Sequence, residues 1–177
     1  MKRAVFLDRD GVINEDGNYI YQIKDFHFLP GIFSFCREAQ KKDYLLIVAT
    51  NQSGIARGYY TEKDFFCLND WMLSRFRKEG ISICKVYYCP FHPEKGMGKY
   101  RKDSYNRKPN PGMLLRAQAD FRINMEHSLL IGDRDSDMQA GHSAGIGTLL
   151  LLAGKYQFTA AQDIHIIEHL ADAIKFL

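Results

Sequence analysis

A chain of 177 residues with 46% hydrophobic and 25% charged residues has the profile of one globular domain, residues 1–177, able to bury roughly 70% of its unfolded surface. The formal net charge of +3 is too small to argue for nucleic acid and suits a small acidic ligand. No apolar run approaches membrane-spanning length, only four apolar residues separate Met1-Lys2-Arg3 from Asp8, and Cys36, Cys67, Cys84 and Cys89 show no paired spacing, so a cytoplasmic monomer with reduced thiols and no membrane partner is expected.

The first apolar run, Ala4-Val5-Phe6-Leu7, is short enough for one buried strand and delivers Asp8-Arg9-Asp10-Gly11-Val12. Two carboxylates this close repel each other, which calls for a metal ion, a proton or a cation. Alone, the stretch reads equally well as a solvated turn. A polar, aromatic loop over 14–30 follows, with Asp16-Gly17-Asn18-Tyr19 as a turn signal. The spacing of Ile32, Phe35 and Ala39 predicts a helix over 31–42. Residues 45–49 form the clearest buried strand and run into Thr50-Asn51-Gln52-Ser53-Gly54. Thr61 and Asp64 form an approximate capping box for a long helix whose core stripe is Phe65, Leu68, Met72 and Phe76, with Gly80 as its stop.

A third strand over 86–88 leads into an irregular segment, 89–106. Residues 95–108 hold six Lys or Arg against one Asp. Such a run either lies in solvent or favours a substrate with a second phosphate. Asn110 and Pro111 predict a helix with a cap and then proline at its first position. A fourth strand over 129–131 ends at Gly132-Asp133, a helix carries Met138, Ala140 and Ala144, and a fifth strand covers 148–152. A short strand over 164–167 and a final helix complete the chain. Strands alternating with helices predict a doubly wound, mainly parallel α/β sheet of Rossmann-like form.

In such a sheet the carboxyl ends of the strands share one edge, so Asp8, Asp10, Thr50, Lys108 and Asp133 can converge. They supply the parts for phosphoryl transfer through an aspartyl-phosphate. Asp8 is the nucleophile, since a carboxylate is ionised at neutral pH without help from a base. Mg²⁺, which prefers oxygen ligands, sits between Asp8, Asp133 and the backbone carbonyl of Asp10. Asp10 acts as general acid and then base, while Thr50 and Lys108 hold the phosphate oxygens. Asp137 either supports the metal shell or caps its helix.

The order Asp-x-Asp, Thr, Lys, Gly-Asp-x-x-x-Asp resembles the haloacid dehalogenase-like phosphatases. Asp8 with Asp10, Thr50, Lys108 and Gly132-Asp133-Arg134-Asp135-Ser136-Asp137 match the four motifs in order. Asp8-Arg9-Asp10-Gly11, Thr50-Asn51-Gln52-Ser53-Gly54-Ile55-Ala56-Arg57-Gly58 and Arg107-Lys108-Pro109 are similar to the D-glycero-D-manno-heptose 1,7-bisphosphate 7-phosphatases. The histidinol-phosphatases share these motifs, and a histidinol-phosphate phosphatase or another small sugar-phosphate phosphatase remains the alternative. The resemblance implies substrate contacts from Asp16, Gly17, Asn18, Tyr19, Asn51, Gln52, Ser53, Arg107 and Arg134, the last standing where lysine is common. It also implies a phosphorylated sugar as ligand and a place in lipopolysaccharide-core or nucleotide-heptose precursor synthesis.

Many members of that family hold a structural zinc with Cys-x-His and Cys-x-Cys, where this chain reads Cys89-Pro90-Phe91 and Ser104-Tyr105-Asn106, with His92 displaced by one residue. Four N or S donors cannot be found, so no tightly bound zinc is expected, and the segment should be looser or held by Tyr100 and Tyr105. The spacing leaves no room for a separate cap domain, so loops 14–30 and 89–106 would set specificity. Two rivals from other classes are a phospho-receiver module and a non-catalytic sugar-phosphate binding protein. The receiver needs its lysine near the chain end, and intact Asp8 and Asp10 argue against the second.

Overall fold

Side chains on a strand point alternately to opposite faces, so a strand covered on both faces reads as an unbroken apolar run. The computed structural model, which describes residues 1–157 and 163–177, has this arrangement. Its strands are β1 (Arg3–Leu7), β2 (Tyr44–Asn51), β3 (Ile83–Cys89), β4 (Leu129–Gly132), β5 (Thr148–Leu152) and β6 (Ile164–Ile167). They form one parallel sheet in the order β3-β2-β1-β4-β5-β6. Val5 and Leu7 join Leu46, Val48, Ile131 and Leu150 in a core closed by α1 (Ile32–Lys41) and α3 (Glu62–Lys78). Ala4 and Phe6 point the other way, joining Ile47, Ala49, Leu130 and Leu149 beneath α4 (Gly112–Phe121) and α5 (Asp135–Ser143). The sheet is therefore doubly wound.

The order reverses between β1 and β4, and ligands of such sheets collect in the crevice beyond that switch point. Asp8 and Asp133 stand there, because one follows β1 and the other follows β4. A receiver module has the order 2-1-3-4-5, which this sheet does not.

Local chemistry accounts for the helix boundaries. Thr61 Oγ1 accepts from the Asp64 amide while the Asp64 carboxylate accepts from the Thr61 amide, completing the capping box of α3. Several boundaries differ from the sequence expectation. The second strand runs on through Thr50 and Asn51, and the third covers Ile83–Cys89. Pro111 is the residue before α4 rather than its first, because the Gly112 amide binds the Tyr105 carbonyl and the Asn110 side chain turns to the Ser104 carbonyl instead of capping. The four residues Ser53–Ala56 form an unexpected turn of helix, α2, and the final helix is 3₁₀, Leu170–Phe176. Among the described residues no helix is long and apolar enough to cross a membrane.

Phe6 is fully buried at the centre of the sheet. Phe6→Ala is expected to lower unfolding free energy by about 3–5 kcal/mol, read as a lower urea midpoint at an unaltered slope.

Candidate active site

Asp8 is seated by its own backbone: its amide binds the Ile131 carbonyl, 3.1 Å, so it leaves β1 locked against β4. Its Oδ1 accepts from the Arg9 amide at 2.8 Å and lies 2.9 Å from the Lys108 ammonium. That ammonium also meets Asp137 Oδ1 at 2.6 Å and the Ala49 carbonyl at 2.7 Å, so each of its three hydrogens has an acceptor. Asp137 Oδ2 in turn accepts from the amides of Asp133 and Arg134 at the start of α5. Asp137 thus caps the helix and grips Lys108 with the same carboxylate. Burial disfavours the Lys108 charge, yet Asp137 and Asp8 outweigh it and raise its pKa above the ordinary lysine range.

Asp8, Asp133 and Asp137 each bring an oxygen within 4.8 Å of the others. Burial pushes the Asp8 carboxyl up to about 7 against the pull of Lys108, with Asp137 and Asp10 adding to the rise. Burial and the charges of Asp8 and Asp137 push Asp133 up to about 8. Asp133 Oδ1 is buried without a hydrogen-bond partner. Gly11 opens this space: its φ is +90°, and a Cβ there would overlap the Asp133 carboxylate. Hard, like-charged oxygens, one of them orphaned, fit a divalent cation of the magnesium type.

Asp10 faces a different set of partners. Its carboxylate is held by the Arg9 guanidinium at 2.9 and 3.0 Å, by Asn14 Nδ2 at 3.0 Å and by Gln52 Nε2 at 3.2 Å. Arg9 is 1% exposed, donates to the Ile20 carbonyl and lies between the rings of Phe26 and Phe65. The sequence pattern does not single out Arg9, although a cation between two carboxylates is a signal that it is not solvated. Gln52 Nε2 also donates to Thr50 Oγ1, 2.8 Å, and its Oε1 accepts from Tyr60. Asn51 makes reciprocal bonds with the backbone of Lys108, 3.0 and 3.1 Å, docking the 107–109 segment on the end of β2.

A cavity of about 380 Å³ opens over these groups. Its wall includes Asp8, Asp10, Asn51, Ser53 and Lys108, then Asp16, Asn18 and Tyr19 from loop 14–30, then Arg107 and Arg134. Thr50 and Gln52 are buried behind that wall, Gly17 packs on Ile20, and Asp133 borders a neighbouring cavity together with Gly11. The wall also contains Arg57 and Tyr156, which the sequence does not mark as site residues. Tyr156 follows β5 without any motif around it. Its hydroxyl donates to Asp16 Oδ2 at 2.5 Å and accepts from Arg134 at 2.6 Å, and Arg134 lies 2.9 Å from Asp16. Partial burial would raise the Asp16 pKa, but the bonds from Tyr156 and the Asn18 amide and the charge of Arg134 hold it below the usual carboxylate value.

The basic run divides in two. Arg107 and Lys108 reach the cavity, whereas Lys99 and Lys102 lie over the rings of Tyr100 and Phe91, and no residue of 95–102 is in the wall. Residues 89–106 do not fit zinc. Cys89 is buried with its thiol pKa raised by that burial, and His92 Nδ1 already accepts from the amides of Glu94 and Lys95. Tyr100 does anchor the segment, through a 3.1 Å bond to Glu62. Tyr105 does not, being 62% exposed.

The HAD-hydrolase-like family model matches residues 105–174. Over 176 residues the chain is 51% identical to the D-glycero-alpha-D-manno-heptose-1,7-bisphosphate 7-phosphatase of Burkholderia mallei, covering 99% of this chain and 93% of the relative. This chain belongs to the heptose bisphosphate phosphatase family. The D-glycero-beta-D-manno-heptose-1,7-bisphosphate 7-phosphatase of Vibrio cholerae is 46% identical over 85% of this chain and 81% of its own length. A crystal structure of D,D-heptose 1,7-bisphosphate phosphatase from B. bronchiseptica, complexed with magnesium and phosphate, superposes with a TM-score of 0.85 at 27% identity, covering 99% and 97% of the two chains.

Lys108→Met would leave Asp8 and Asp137 buried without their cation. A loss of about 3–5 kcal/mol in urea unfolding at neutral pH is expected. Elemental analysis of the dialysed protein should find no stoichiometric zinc.

Proposed function

We propose that this protein is a Mg²⁺-dependent phosphatase that removes the 7-phosphate of D-glycero-D-manno-heptose 1,7-bisphosphate through an aspartyl-phosphate. The observation that carries this reading is one cavity holding a buried, lysine-paired carboxylate at Asp8, a second carboxylate at Asp10 and three arginines. The names of the relatives support the sugar. Arg57 and Arg107, which no carboxylate pairs with among the described residues, favour a bisphosphate over histidinol phosphate, which carries one phosphate group.

An oxygen of Asp8 attacks phosphorus, the bond from phosphorus to the sugar oxygen breaks, and Asp10 delivers a proton to the leaving alkoxide. Asp10 then takes a proton from the water that attacks the phosphoryl group on Asp8, the bond from phosphorus to Asp8 breaks, and inorganic phosphate leaves. Arg9, Asn14 and Gln52 fix where Asp10 points, and Gln52 links that orientation to Thr50. Lys108, with all its hydrogens engaged, acts as a fixed charge that favours the anionic form of Asp8 against the burial that disfavours it. Mg²⁺, held by Asp8, Asp133 and the Asp10 carbonyl, would supply positive charge that offsets repulsion between an anionic nucleophile and an anionic phosphate. Asp137 supports that shell by fixing Lys108 and the Asp133 amide.

Substrate contacts are assigned to Asp16, Asn18, Tyr19, Asn51, Ser53, Arg107 and Arg134, which line the cavity, whereas Gln52 and Thr50 act from behind it. Gly17 contributes by letting the 16–19 turn pack on Ile20. The single sheet supports one domain over 1–177, and four free cysteines support a reducing, cytoplasmic setting, with a monomer as the working state.

Phosphate release should be measured with both anomers of heptose 1,7-bisphosphate, fructose 1,6-bisphosphate and histidinol phosphate. A heptose bisphosphate is expected to give the highest kcat/KM; histidinol phosphate at the top of the panel would overturn the substrate, and no release from any compound would favour a binding protein. Asp10→Asn is expected to lower kcat by about 10²–10⁴-fold on a folded protein. Dialysis against EDTA should abolish release and added Mg²⁺ should restore it.

A further inference from the structure

The three guanidiniums of the cavity wall are not equivalent. Arg134 is already matched, by Asp16 at 2.9 Å and by the Tyr156 hydroxyl at 2.6 Å, and its guanidinium carbon lies 4.1 Å from the Tyr156 ring centroid. Among the described residues no carboxylate pairs with Arg57 or Arg107. Arg57 Nε is buried without a hydrogen-bond partner. The Arg107 side chain makes one long bond, 3.4 Å to the Phe91 carbonyl. Arg57 and Arg107 line the same cavity, and burial together with the nearby positive charge of Arg57 holds the Arg107 pKa below the usual arginine value. Arg57 follows α2, and its guanidinium carbon stands 5.6 Å from the ring centroid of Tyr19. Tyr19 meets Tyr59 edge to face, with ring centroids 4.8 Å apart, and its own φ is +58°.

Two partly buried guanidiniums in one cavity wall, with no acidic residue to balance them, form a site that an anion completes. A phosphate fits best, since the planar donor forks match its oxygens in pairs. Resting on the bisphosphate reading above, we infer that Arg57, acting with Arg107, holds the phosphate that is not cleaved and so makes the enzyme prefer a bisphosphate to a monophosphate. Arg134 has a different task. Asp16 neutralises it, so the Asp16–Arg134–Tyr156 group presents donors and acceptors without net charge and suits sugar hydroxyls. The uncleaved phosphate thus belongs to the side of the cavity formed by α2 and the 107–109 segment, away from the 153–157 segment. Arg57 belongs to no acid, base or metal-holding role; its contribution is to substrate choice.

The test is the ratio of kcat/KM for heptose 1,7-bisphosphate to that for heptose 7-phosphate, measured with Mg²⁺ for wild type, Arg57→Met, Arg57→Lys and Arg134→Met. Arg57→Met should lower the ratio about tenfold or more, chiefly through a higher KM for the bisphosphate. Arg57→Lys keeps the charge without the fork and should give an intermediate ratio. Arg134→Met should weaken both substrates alike. An Arg57→Met ratio within twofold of wild type overturns the inference, as does a ratio that falls only in Arg134→Met. A wild-type ratio near unity would sink the bisphosphate reading itself and this inference with it. A variant that fails to fold is recognised by loss of turnover on both substrates, and Arg57→Lys then decides.

Discussion

The Lys108 ammonium joins the end of β1, the end of β2 and the start of α5 at one point, through Asp8, the Ala49 carbonyl and Asp137. These segments are far apart in sequence and meet only because the sheet is parallel and its strand order reverses between β1 and β4. The lysine is 4% exposed, so its charge interacts with the two carboxylates under weak screening. Removing Lys108 leaves two buried carboxylates without their cation. Folding of the edge and the charge state of Asp8 are therefore one electrostatic problem. Asn51 reinforces the solution by fixing the lysine's backbone with the two ends of one amide.

The two carboxylates of the Asp-x-Asp segment end up in unlike surroundings although they are two residues apart. Asp8 turns to Lys108 and the acidic cluster, and Asp10 turns to Arg9, Asn14 and Gln52. Arg9 makes this separation possible, since its guanidinium, between two phenyl rings, carries the cation that offsets Asp10 into the body of the protein. One intervening residue thus gives the two carboxylates different partners, in keeping with the different roles proposed for them.

The architecture was legible because strands buried on both faces appear as unbroken apolar runs, and because Thr61 and Asp64 cap their helix by local chemistry alone. The convergence of Asp8, Lys108 and the Asp133 segment was legible for the same reason: strand ends of a parallel sheet share an edge. What escaped depends on side-chain direction. Gln52 lies in a motif beside Asn51 and Ser53, yet it turns inward to Asp10 and Thr50 while its neighbours line the cavity. The charge of 95–108 looked suited as a whole to a second phosphate, yet of that run only Arg107 and Lys108 are cations in the cavity wall, and Lys99 and Lys102 lie over neighbouring aromatic rings. Tyr156 carried no signal, since a tyrosine after a strand is compatible with any loop. Tyr105 looked like an anchor by composition and is instead turned out to solvent.

Arg107 and Lys108 are consecutive, yet one lines the open cavity and the other pairs with the buried carboxylates of Asp8 and Asp137. Their shared peptide is held by Asn51, which fixes where the backbone delivers both side chains. One short segment therefore sends one cation to the cavity wall and commits the next to the buried carboxylates of Asp8 and Asp137.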